Sequence, residues 1–95
     1  MTERASTRPG RRRRHRAYAL ESQLLAVCEQ IGSGELPPWR GALRIARGAR
    51  TAGVALQEPY RTFVALDEAW NADYSAHPRL TEAILSAARA VLSRH

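Results

Sequence analysis

The sequence predicts an all-α domain, a small bundle of about four short helices behind a disordered, arginine-rich N-terminal arm. Three observations carry this. Apolar residues recur at helical spacing in four segments, no segment alternates as a strand, and the excess positive charge is confined to the first 16 residues.

A chain of 95 residues has room for one domain. Its surface-to-volume ratio is high, so the core is thin, and a deep active-site cleft would be hard to build. Residues 1–16 form the expected arm and residues 17–95 the expected helical domain. The arm holds seven arginines (Arg4, Arg8, Arg11, Arg12, Arg13, Arg14, Arg16) and one acid, Glu3, and so carries the whole net charge of +6. The rest balances eight arginines against eight acids. Pro9-Gly10 opposes helix formation, the arginines repel one another, and nothing in the arm has an apolar face to bury. All fifteen basic residues are arginine. The preference is therefore chain-wide and does not by itself point to phosphate.

The first helix is expected over 17–31, with Leu20, Leu24, Val27, Cys28 and Ile31 on one stripe and Gly32 as its stop. Cys28 lies inside that stripe, as a buried structural thiol. It is the only cysteine, so no intrachain disulfide is possible. A reducing compartment, the absence of a long apolar segment and a poor signal-peptide pattern make the cytoplasm the expected location, with no membrane partner.

A loop rich in glycine and proline leads to the second helix, over 39–52, with Trp39 at its mouth. At about 100° per residue from Arg40, Arg44 falls near ~40°, Arg47 near ~340° and Arg50 near ~280°. Ala42, Ile45, Ala46 and Ala49 occupy the opposite arc. One face is basic and the other small and apolar. Pro59 is placed to open the third helix, whose stripe of Tyr60, Phe63, Val64, Trp70 and Tyr74 anchors the core. Asp67 falls in the middle of that stripe and needs an arginine, tyrosine or backbone partner. Pro78 opens the fourth helix, with Leu80, Ile84, Ala87, Ala88 and Val91 on its inner face. Ala83, Ala87 and Ala90 would permit close helix approach.

The chemistry of enzymes is missing from the pattern. His15, His77 and His95 are scattered, with no metal-ligand spacing, and no phosphate-cradling loop or nucleophile motif is present. Asp67 and Glu68 are adjacent and point about 100° apart, which does not make an acid pair. No catalytic residue, metal ligand or cofactor is assigned, and the protein is expected not to be an enzyme.

The stretch Ala49-Arg50-Thr51-Ala52-Gly53-Val54, followed by Tyr60 and Phe63, resembles the helix-turn-helix of tetracycline-repressor-like regulators. In that family an alanine stands four residues before the turn glycine, a valine follows it, and aromatics lie along the recognition helix. The resemblance covers residues 49–63 and implies a helical DNA-binding regulator. Pro59 departs from it inside the recognition-helix segment, and Ala55 replaces the usual capping hydroxyl. No base-reading residue is carried over.

The residues together predict a small, non-enzymatic nucleic-acid-binding or regulatory protein. Arg11, Arg12, Arg13, Arg14 and Arg16 would contact phosphates, and Arg40, Arg44 and Arg47 would add a second row. The alternative is an adaptor or inhibitor that binds a larger protein through its helical surface. A homodimer would also add burial to so small a core.

Overall fold

The computed structural model of the protein describes residues 8–94; for residues 8–17 the backbone alone is described. Four α-helices follow one another: α1 (Arg8–Ser33), α2 (Pro38–Ala52), α3 (Tyr60–Ala72) and α4 (His77–Ser93). A 3-10 turn, Tyr74–Ala76, joins the last two. No strand occurs among the described residues, so the all-α class holds.

The helix backbone of α1 starts at Arg8, upstream of the expected start at 17. Pro9 is tolerated there because the first N–H groups of a helix have no intrahelical partner to lose. Residues 1–7 of the expected arm lie outside the described residues. The stop of α1 is Gly34, not Gly32. Gly34 adopts a left-handed φ of 85°, and the Leu36 N–H then reaches back to the Gln30 carbonyl at 3.1 Å. Gly32 stays inside the helix. Leu36, buried, plugs the end of the core just after the turn.

Around the bundle, α1 packs on α2 and α4, and α3 packs on the same two, while α2 and α4 also touch across the centre. The main core joins Leu24, Val27, Cys28 and Ile31 of α1 to Phe63 of α3 and Ile84 and Val91 of α4. Each such large side chain contributes about 1.5–3 kcal/mol when buried. A smaller cluster, Ala46, Ala49 and Val64, ties α2 to α3. On α4 the inner face is Leu80, Ile84, Ala88 and Val91, as the stripe predicts, whereas Ala90 is exposed. Burial pushes the Cys28 thiol up to about 11.

Tyr74 leaves the stripe on which the third helix was expected to place it. The α-helix ends at Ala72, and Asp73 is extended, with φ −145° and ψ 100°. A 100° projection along the helix therefore stops short of Tyr74, which is 84% exposed. Pro59, expected as the first helical residue, instead caps α3 from the position just before it. Pro78 sits in the first turn of α4 as expected.

The two glycines inside α2 differ in purpose. Gly41 is buried, and a Cβ there would overlap the Ile31 side chain, itself locked in the core. A Cβ on Gly48 would sit 3.4 Å from Leu20 Cδ1, an ordinary contact. These contacts pair the start of α2 with the end of α1 and run the two helices antiparallel.

Gly41→Ala is expected to destabilise the fold by about 1–3 kcal/mol through overpacking, net of what it regains in helix propensity. Gly48→Ala should instead stabilise it by up to ~1 kcal/mol. Urea denaturation of both variants checks this, and shifts of the same sign would contradict the seating of α2 on α1. In the folded protein, Cys28 should react with a thiol reagent only as fast as the protein globally unfolds, a rate that stopped-flow labelling measures.

Candidate nucleic-acid interface

The side chains of α2 divide by angle into four arcs. Counting about 100° per residue from Arg40, Gly48 and Gly41 lie near ~80–100°, on the α1 side. Ala42 and Ala49, both fully buried, lie near ~180–200° and face the core. Trp39 and Arg50 lie near ~260–280°, and both reach α3. The arc left over, from about 300° through zero to about 40°, carries Leu43, Arg47, Arg40, Thr51 and Arg44. Arg40, Arg44 and Arg47 are all exposed.

Arg50 is the arginine used by the fold. Its Nη1 donates to Asp67 Oδ2 at 3.3 Å and its Nη2 to Glu68 Oε2 at 3.4 Å. Asp67 is the buried charged residue among those described, at 6% exposure, and so gains the partner that its stripe position requires. Glu68 is exposed and shares the same guanidinium. Arg61, the sole arginine of α3, is held by Glu58 at 3.0 Å. Among the described residues, Arg40, Arg44 and Arg47 have no ion-pair partner.

Arg44 and Arg47 line an open groove between α2 and α1, whose far wall is Ala19, Leu20 and Gln23. Arg40 stands outside that groove, nearer the start of α2. The backbone of α1 continues upstream of Ala19, at about 1.5 Å per residue, through the segment that holds Arg11, Arg12, Arg13, Arg14 and Arg16. The side chains of those five lie outside the described residues. The antiparallel pairing with α2 directs this segment past the C-terminal end of α2.

That end closes as a Schellman motif. Gly53 takes a left-handed φ of 77°, its N–H bonds to Arg50 O, and the Val54 N–H bonds to Ala49 O at 2.9 Å. The next helix begins only at Tyr60, after an irregular stretch from 53 to 59. Phe63 is fully buried and Tyr60 half-buried. The outward residues of α3 include Arg61, Ala65 and Glu68, of which the two charged ones are already paired.

A second feature escaped the sequence reading. At the opposite end of α2, Trp39 stacks on Trp70 with centroids 6.1 Å apart and planes 13° from parallel. Trp70 in turn stacks on His77 at 3.6 Å and 8°. Tyr74 lies against His77 at 4.8 Å, tilted by 56°. The Nε2–H of His77 donates to the Trp70 carbonyl at 2.7 Å, which fixes the imidazole against the indole. No spacing rule joins these residues, because they come from the ends of different elements.

No protein family, curated protein or solved structure matches the chain.

Asp67→Ala should cost about 1–3 kcal/mol, towards the lower end, because the Arg50 side chain is 42% exposed and water partly solvates it once the pair is gone. Glu68→Ala, at an exposed position, should change stability by less than about 0.5 kcal/mol. Thermal denaturation of both variants tests the asymmetry, which equal losses would contradict.

Proposed function

We propose that the chain is a small, non-enzymatic nucleic-acid-binding protein that holds phosphates with two arginine surfaces. One is the N-terminal series Arg11, Arg12, Arg13, Arg14 and Arg16; the other is Arg40, Arg44 and Arg47 on the outer arc of α2. The observation that carries this reading is the second row. Three guanidiniums stand exposed on one helix face without an ion-pair partner among the described residues, while their neighbour Arg50 is taken up by Asp67 and Glu68.

Phosphate contacts of this kind release counterions, so affinity falls steeply with salt and depends little on sequence. Arginine's planar fork suits phosphate oxygens. The cations lie on α2 rather than on α3, so this reading assigns backbone contact and no base readout to the helix pair.

Fluorescence anisotropy across a salt series, with a duplex and a single strand as probes, measures the contribution of each row. Replacing Arg11 to Arg14 and Arg16 with glutamine should lower the salt slope on duplex by roughly four units, at about 0.9 per phosphate contact. Replacing Arg40, Arg44 and Arg47 should lower it further, by up to ~3 units. Arg50→Gln should reduce stability and leave the slope unchanged. If the intact protein binds neither probe at low salt, the adaptor reading replaces this one.

A further inference from the structure

We propose that the aromatic stack Trp39–Trp70–His77 is a platform for unpaired nucleic-acid bases, so that the preferred ligand is single-stranded. This rests on the phosphate-binding role of the α2 arginines and adds to it a site for the bases.

The three rings form a near-parallel series, with Trp39 at 13° to Trp70 and His77 at 8° to it. Trp70 stacks with both Trp39 and His77, and His77 is fixed by its hydrogen bond to the Trp70 carbonyl. Trp39 terminates the series on the α2 side and keeps 39% exposure, high for the largest apolar side chain in a domain so short of core. Its ring already lies near-parallel to Trp70, which lowers the cost of ordering it on a ligand. A base laid on Trp39 would extend the near-parallel series by one step.

Charge selects nucleic acid over an uncharged aromatic ligand. Trp39 is followed directly by Arg40, about 100° further round the helix, and from Arg40 the outer arc continues through Arg44 and Arg47, rising about 6 Å and then ~4.5 Å along the helix axis. Aromatic platforms beside a cationic track are how single strands are held without sequence preference. A duplex could use the track but not the platform, because its bases already stack on one another.

The other side of the platform carries charges of both signs, since Arg79 lies within electrostatic reach of Asp73. Asp73 flanks Tyr74 and accepts from the Ser75 hydroxyl at 2.7 Å and the Ser75 amide at 3.0 Å. These bonds, the hydroxyl's first, hold its carboxyl below the usual range.

The test uses the full chain and three probes: a short single-stranded oligonucleotide, an abasic strand of the same length and charge, and a duplex. Binding is read by anisotropy and by quenching of tryptophan emission, with circular dichroism confirming that each variant folds. The wild type should prefer the intact single strand to the abasic one, with quenching by the intact strand alone. Trp39→Leu, which keeps apolar bulk but removes the π face, should weaken binding to the intact strand roughly tenfold and leave abasic binding unchanged. Trp39→Phe should restore most of the loss. If intact and abasic strands bind alike and Trp39→Leu changes neither, the platform is overturned while the phosphate reading stands. If no probe binds at low salt, both fall together.

Discussion

The closeness with which α2 sits against its neighbours governs the rest of the structure. Four of its inward positions are Gly41, Ala42, Ala46 and Ala49, all buried and none larger than a methyl group. Such a helix contributes little apolar area of its own, and the long side chains of α1, α3 and α4 supply most of the burial. What α2 contributes is a slot. Because Gly41 has no Cβ, Ile31 can lie directly against the α2 backbone, and α1 is drawn in close enough to form one wall of the arginine groove.

Once α2 is seated, its rotation is fixed from both sides. The glycines meet α1 on one flank, and on the other Arg50 reaches Asp67 while Trp39 meets Trp70. A turn of the helix about its axis would push a side chain into Ile31 or pull Arg50 from a buried carboxylate. Removing one partner of such a pair costs more than making it gains, because the remaining charge stays desolvated. The same setting leaves Arg40, Arg44 and Arg47 outward. The arginines thus fall into two roles by angle alone: Arg50 is spent on the fold, and the other three are left on the surface.

Most of this was legible in the sequence wherever a single helix supplied the pattern. The stripe from Leu24 to Ile31, the two-sided second helix, the buried Cys28 and the demand of Asp67 for a partner all follow from periodicity of about 3.6 residues per turn. The all-α class followed from the same signal. What periodicity could not supply were relations between helix ends. Tyr74 was projected along a helix that had already stopped at Ala72, and Gly34 took the left-handed turn that Gly32 was expected to provide. The stack of Trp39, Trp70 and His77 belongs to the same class, since its members lie 31 and 7 positions apart and share no repeat. The difference between Gly41 and Gly48 was likewise invisible, because helical periodicity does not place Ile31 against the first of them.

The charge balance of the helical domain also reads differently once the fold is known. Eight arginines against eight acids give a neutral total for residues 17–95, which by itself speaks against a basic footprint. A partner does not respond to that total. Screening limits its view to about 10 Å at 0.1 M ionic strength, and within that range position matters more than sum. Four of the acids in the second half are tied to other places: Glu58 to Arg61, Asp67 and Glu68 to Arg50, Asp73 to the turn before α4. None of these carboxylates pairs with Arg40, Arg44 or Arg47. A domain that is neutral on paper can therefore present a locally cationic face, provided its ion pairs are internal to the helix packing rather than spread over the surface. The pairing of Arg50 does both tasks at once, holding α2 to α3 and occupying two carboxylates that would otherwise oppose an incoming anion.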